Sequence, residues 1–220
     1  MKKIVNLSMR EQIYEALKGM ILDNKYEPKT VLAIDRLAEE FGVSATPVRE
    51  AMVRLEAENL VELIPNKGAR VTGISADDVR SIWELRRLLE PYAARMSAAT
   101  IDRAELAALE ADIRKLAASP GDNELYVGTD TRLHELLYSR VENAMLRDMI
   151  HRVHLMSHRI RFFAEHSPEL HEKVVHDVIA EHLEILEAVR KGDPDLTGEL
   201  LRQHLENGER RTLSALRLER

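Results

Sequence analysis

Four side chains able to bind a metal ion lie where a helix would turn them toward its apolar face. Between residues 127 and 141, apolar residues recur at steps of three and four, and Asp130 and His134 interrupt that stripe. His182 and His204 fall on the apolar faces of later segments in the same way. Burying such groups unpaired costs roughly 1–3 kcal/mol each, so the four should share a partner. A divalent metal ion inside a helical bundle would be that partner.

The composition restricts which ion this site could hold. The chain contains no cysteine, so the ligands must be imidazole, carboxylate or carbonyl groups. Three imidazoles and one carboxylate suit zinc, nickel, manganese or iron, and zinc is the leading candidate. An open coordination position would let water or the carboxylate of a small molecule bind the ion directly, whereas a closed site would be purely structural.

A second row of histidines competes with this interpretation. His151, His154 and His158 also have helical spacing, but arginines flank them and the row contains no carboxylate. This row could bind an anion or form a solvated face, and the residues alone leave both alternatives open.

The composition of the chain changes near residue 74, which predicts a domain boundary there. Residues 1–73 carry 11 basic and 11 acidic side chains, whereas 74–220 carry 21 and 27 and all nine histidines. The net charge of −6 argues against a nonspecific coat for nucleic acid, but the balanced first domain can still gather its basic groups on one face.

The first domain has the pattern of a helix-turn-helix. An amphipathic helix over 8–23 precedes a short helix over 35–41, a turn at Gly42 and a third helix that begins after Ser44. In this layout the last helix enters the major groove of DNA. Three of its side chains would face the nucleic acid opposite the apolar stripe: Thr46, Arg49 and Arg54.

Two short strands, 60–64 and 69–71, would follow as a wing. Lys67 and Arg70 near its tip could reach phosphates or the minor groove, and Gly68 would let the backbone come close. We assign Arg36, at the start of the second helix, to anchoring the DNA backbone together with Lys67.

Every stretch after the wing has a helical pattern, with breaks near residues 100, 120, 143, 167 and 193. The predicted fold is therefore mainly α: an N-terminal winged helix-turn-helix over 1–73, then an all-α antiparallel bundle of about six helices over 74–220. No apolar run is long enough for a signal peptide or a membrane span, so we expect a cytoplasmic protein without a membrane partner.

The run LAEEFGVSATPVREA at residues 37–51 resembles the DNA-binding signature of the GntR family of bacterial regulators. The resemblance implies a homodimer that binds a short palindromic operator in double-stranded DNA. It also implies that Thr46, Arg49 and Gly68 occupy contact positions.

The second domain is similar to the FCD ligand-binding domain of the FadR-type branch of that family. The motifs DTRLH at 130–134, EHLEIL at 181–186 and RQHL at 202–205 resemble its metal-ligand motifs, which favours Asp130, His134, His182 and His204 over the competing row. The resemblance also implies that Arg86 binds a small organic acid, such as a sugar acid or a dicarboxylate.

We therefore expect a transcription regulator, a repressor, whose operator binding is modulated by a small carboxylate effector at the metal site. A helical metal-dependent hydrolase fused to a winged domain is the alternative from another class. The chain lacks the His-Glu-x-x-His motif of helical metal hydrolases. Glu135 lies about 100° around the helix from His134, so it is not placed as a general base beside the proposed ligands. No catalytic residue is therefore assigned.

Overall fold

The computed structural model describes residues 8–65, 67–161 and 168–218, which fall into two compact units, Met1–Ser75 and Ala76–Arg220. The predicted fold class is confirmed, because the first unit is a winged helix-turn-helix and the second is helical throughout its described part. None of the described helices is both long and apolar enough to cross a membrane.

The first unit contains three helices and a three-stranded antiparallel sheet in the order β1-β3-β2. The helices are α1 (Met9–Leu22), α2 (Ile34–Phe41) and α3 (Ala45–Ala57). The strands are β1 (Val31–Leu32), β2 (Val61–Ile64) and β3 (Gly68–Val71).

Local sequence explains these helix bounds. Ser8 caps α1 by accepting a hydrogen bond from the backbone N–H of Glu11 at 3.3 Å. Gly42 ends α2 with a φ of 66°, a left-handed conformation that glycine adopts without strain. The predicted apolar stripe of α3 is completely buried: Val48, Ala51, Met52 and Leu55. This burial fixes the opposite face of α3 toward solvent.

The wing has the two predicted strands. Strand β1, which pairs with β3, was not predicted from the sequence. Gly68 begins β3 with a φ of 111°, and a Cβ atom at this position would lie 2.1 Å from the carbonyl oxygen of Leu32 in β1. A glycine is therefore required here because β1 approaches so closely. Asn66, in the predicted turn of the wing, lies outside the described residues.

The second unit contains six helices in its described part, as the sequence predicted. They are α4 (Ala76–Ser97), α5 (Arg103–Ala118), α6 (Asn123–Tyr138), α7 (Ala144–Arg161), α8 (Pro168–Lys191) and α9 (Pro194–Leu218). Asp102 and Asp122 cap α5 and α6 through their carboxylates. The predicted break at Ser167 falls on a residue outside the described part.

Large apolar side chains from these helices are fully buried, including Trp83, Leu109, Ile113, Leu133 and Leu137. Helix α4 packs against α6, α7 and α9, and α8 packs against α5 and α9. This packing turns the inner faces of α4, α6, α8 and α9 toward a common interior, where buried polar side chains replace part of the apolar core.

Candidate metal centre and nucleic-acid interface

The four side chains that the sequence proposed as metal ligands are all buried in the second unit. Asp130 and His134 lie one turn apart on α6, His182 lies on α8 and His204 on α9, and none is more than 5% exposed. Each of them shares a helix face with buried apolar side chains. Burial of that face therefore places the polar side chain inside the bundle.

These side chains converge. The Oδ1 atom of Asp130 lies 3.9 Å from Nε2 of His134 and 3.6 Å from Nε2 of His182. The His204 ring centroid lies 4.8 Å from that of His182 and 5.4 Å from that of His134. Two ligand atoms that each lie about 2.1 Å from one ion are at most about 4.2 Å apart, so both measured Asp130 distances permit a shared ion.

The convergent residues nevertheless form two adjacent groups. Ligand atoms of Asp130, His182 and His204 lie within 4.8 Å of one another, and those of Glu90, His134 and His154 do the same. His134 therefore borders both groups, since it also approaches Asp130. The sequence did not predict that Glu90 or His154 lies near the candidate ligands.

Arg86, the predicted effector-binding residue, occupies the boundary between the groups. It is 2% exposed and donates from Nε to Oε1 of Glu90 at 2.6 Å. One of its terminal nitrogens lies 3.1 Å from Nε2 of His134. Burial raises the pKa of Glu90, but its interactions with Arg86 and His134 outweigh burial and hold that pKa well below its ordinary value. Arg86 is thus held in place by an ionised carboxylate.

The competing histidine row does not form one face. His151 is exposed, whereas His154 is 2% exposed and its ring centroid lies 5.2 Å from that of His134. The side chain of His158 lies outside the described residues. The sequence showed the helical spacing of these residues but not which side of α7 meets the interior.

Glu181 is a functional candidate that sequence reasoning missed. Its carboxylate lies 2.6 Å from Nδ1 of His204, and Arg211 donates to both of its oxygens at 2.9 Å. Burial raises the pKa of Glu181, but Arg211 and His204 outweigh it and lower that pKa to about 2. Glu181 is therefore an acceptor, so Nδ1 of His204 carries the hydrogen and Nε2 is left with the lone pair that a metal needs.

A cavity of about 310 Å³ opens beside this centre. Arg86, Asp130 and His204 line its inner end, and Lys173 and Arg210 line it at exposed positions. A small molecule in the cavity would therefore reach Arg86 and two of the candidate ligands, Asp130 and His204.

In the first unit, most of the predicted DNA-binding residues are exposed. Thr46 and Arg49 lie on the solvent face of α3, and Lys67 shares with Arg49 a groove between α3 and the wing. Arg36 and Arg70 are exposed as well. Gly68 itself is buried against Leu32, so the described contacts explain it by wing packing.

Arg54 differs from the other predicted DNA-binding residues because it makes strong contacts within its own unit. Its guanidinium donates to both carboxylate oxygens of Glu11, at 2.6 and 3.2 Å, and lies 3.7 Å from the ring centroid of Tyr14. These contacts link α3 to α1. A contact of Arg54 with DNA stays a prediction.

Comparison with known proteins identifies both units. Residues 9–71 match the family described as "Bacterial regulatory proteins, gntR family", and residues 81–207 match the FCD domain. The HTH-type transcriptional regulator YdhC of Bacillus subtilis (strain 168) is 29% identical over 187 residues, which cover 82% of this chain and 80% of that protein. The HTH-type transcriptional repressor RspR of Escherichia coli (strain K12) is 27% identical over 203 residues, covering 90% and 86%.

A solved structure, E. coli McbR/YncC, shares the fold with a TM-score of 0.77 at 22% identity, covering 92% of this chain and 95% of that one. The fold and the two matches define a DNA-binding transcription regulator. The chain belongs to the GntR family and carries an FCD domain as its second unit. This family and the named relatives are regulators rather than enzymes, so the hydrolase alternative has no support.

Proposed function

We propose that this regulator is a cytoplasmic repressor that acts as a homodimer, and that a small carboxylate effector bound at a metal ion modulates its operator binding. The observation that carries this proposal is the cluster of Asp130, His182 and His204, with His134 3.9 Å from Asp130. Asp130, His204 and Arg86 line the adjacent cavity.

The donor set fits a divalent ion. A buried carboxylate and three buried imidazoles from three helices supply ligands that zinc accepts, with nickel, manganese and iron as alternatives. The position of Glu181 behind His204 resembles the carboxylates that orient metal-binding imidazoles in other proteins. Binding of His134 Nε2 to the ion requires Arg86 to move away from that nitrogen, which frees its guanidinium for another partner.

An effector carboxylate is that other partner. Arg86 presents a planar guanidinium suited to two parallel hydrogen bonds with a carboxylate, and the adjacent ion would bind the same group. The ion, when bound, supplies a positive charge and an open coordination position. Arg86 then helps to orient the acid.

Operator binding is assigned to the exposed faces of α3 and the wing. Arg49 and Thr46 would read bases in the major groove, and Lys67, Arg70 and Arg36 would contact phosphates. This arrangement requires two copies for a palindromic operator.

A row of exposed apolar side chains on α4 supports the homodimer. Leu85, Leu88, Tyr92 and Met96 recur at steps of three and four and are 43–65% exposed. A second copy of the chain would cover this row through a two-fold interface. Leu88→Glu should therefore produce monomers in sedimentation analysis, and unchanged dimers would contradict this interface.

The coupling between effector and DNA is tested by a pair of titrations. If a bound effector changes the affinity of the protein for operator by some factor, bound operator must change the affinity for effector by the same factor. For an acid that binds the zinc-loaded protein, we expect the two factors to be equal. Equal operator affinities with and without the bound acid would contradict the regulatory role.

A further inference from the structure

The wall of the cavity contains a buried hydrogen-bond donor whose partner is missing. Trp83 is the one tryptophan in the chain, and its side chain is 1% exposed. Its indole Nε1 has no hydrogen-bond partner among the described residues. Buried N–H groups are almost always paired, so an unpaired one in a cavity wall indicates a ligand that accepts from it.

Gly208 leaves space beside this donor. It lies within the long helix α9, where glycine is less favourable than alanine, and the backbone there has no positive φ that would need glycine. A Cβ atom at this position would lie 3.1 Å from Nε1 of Trp83. The glycine therefore keeps the indole N–H uncovered on the side of the cavity that both residues line.

The same cavity reaches the metal-binding residues. The Arg86 guanidinium lies 5.5 Å from the Trp83 ring centroid, and Asp130 and His204 line the cavity as well. Among the described residues, the charged side chains that line it are four cations, Arg86, Lys173, Arg210 and Arg211, and two carboxylates, Asp130 and Asp177. Glu90 and Glu181 pair with Arg86 and Arg211, so the lining charges alone nearly balance. A divalent ion bound at Asp130 would give the cavity an excess of positive charge, which favours a ligand with more than one negative charge.

We propose that the Trp83 indole N–H is a second anchor for the effector, donating to an oxygen other than those of the carboxylate at the metal ion and Arg86. The ligand class is a dicarboxylate: one carboxylate meets the ion, and the other accepts from Trp83. This inference rests on the proposed function and narrows the effector class from carboxylates in general to dicarboxylates. A monocarboxylate would leave the indole N–H buried and unpaired, and sites built around such a donor discriminate against analogues that cannot accept from it.

The test uses the zinc-loaded full chain and matched acids. Straight-chain dicarboxylates and monocarboxylates of three to six carbons are compared by calorimetric titration, for example succinate against butyrate. The best dicarboxylate should bind about tenfold more tightly than the monocarboxylate of equal length. It should also shift the fluorescence emission of Trp83, since the chain has no other tryptophan.

Two variants separate the indole N–H from the rest of the cavity. Trp83→Phe keeps an aromatic ring without the donor, and should lose most of the advantage of the dicarboxylate over the matched monocarboxylate. Gly208→Ala places a methyl group beside Nε1 and should weaken dicarboxylate binding while leaving the fluorescence reporter in place. Gly128→Ala is the control, since a Cβ atom on this helical glycine meets nothing within 4 Å.

The outcomes distinguish the two proposals. If dicarboxylates keep their full advantage in Trp83→Phe, or if wild-type protein binds both acids of each pair equally, the proposed role of Trp83 is wrong and the carboxylate site stands. If none of the acids binds zinc-loaded wild-type protein, the proposed carboxylate function itself fails, and this inference fails with it.

Discussion

Glu181 holds His204 by a hydrogen bond of 2.6 Å to Nδ1, and Arg211 holds Glu181 from behind with two hydrogen bonds of 2.9 Å. This chain of contacts joins α8 to α9 and occupies Nδ1 of His204, which leaves Nε2 for another partner. A residue behind a metal ligand thus sets the orientation and the basicity of that ligand.

Glu181→Gln should weaken zinc binding by about 10–100-fold, because the neutral amide holds the His204 ring less firmly in the ligating orientation. Competition with a chromogenic chelator measures the affinity. Glu184→Gln, an exposed substitution on the same helix, is the matched control and should bind zinc as wild type does. Equal affinities in all three proteins would show that Glu181 does not position the ligand.

Metal removal should lower the stability of the second unit and abolish the effector response. A ligand present at 100 times its dissociation constant stabilises the folded state by about 2.7 kcal/mol, so dialysis against a chelator should lower the melting temperature measurably. Asp130→Asn serves as the control, since zinc should raise the melting temperature of this variant much less than that of the wild-type protein. A metal ion with a purely structural role would change the melting temperature and leave operator binding insensitive to any acid.

The helices of both units could be predicted because apolar periodicity and glycine or proline breaks are local properties of the sequence. Gly42 and the buried stripe of α3 are two examples. Strand β1 could not be predicted in this way, since its two residues, Val31 and Leu32, are strand only through pairing with Arg70 and Ala69 in β3. Such pairing depends on residues far apart in the chain.

Gly68→Ala should destabilise the winged unit by about 2–4 kcal/mol, because the new Cβ atom would collide with the Leu32 carbonyl and the positive φ would be strained. Chemical denaturation followed by circular dichroism measures the change. Gly73→Ala, whose Cβ atom would meet nothing within 4 Å, should have little effect. Wild-type stability in Gly68→Ala would mean that β1 does not approach β3 as described.

Arg49→Ala should weaken operator binding by about 1–3 kcal/mol and leave the melting temperature unchanged, because Arg49 is exposed and would contact a base. Fluorescence anisotropy with an operator selected in vitro measures the affinity.

Arg54→Ala gives the complementary result, since Arg54 binds Glu11 and lies over Tyr14. We expect its melting temperature to fall by a few degrees, and operator affinity to change less than in Arg49→Ala. If Arg54→Ala instead lost operator affinity at full stability, Arg54 would be a direct DNA contact.

The sequence could predict which candidate ligands share a face of one helix, but not which helices bring their faces together. Spacing placed Asp130 and His134 on one face of α6, but no sequence pattern states which faces of α4 and α7 meet them. Glu90 and His154 were therefore missed, and His154 was grouped instead with the exposed His151. Glu181 directly precedes His182 in sequence, yet its role depends on His204 and Arg211 in the next helix.

Anomalous diffraction at the zinc absorption edge, from crystals of zinc-loaded protein, tests the central claim most directly. We predict one strong peak per chain, within about 2.3 Å of Oδ1 of Asp130 and of a ring nitrogen of each of His134, His182 and His204. A peak among Glu90, His134 and His154 without Asp130, or the absence of any peak in this part of the second unit, would contradict the account.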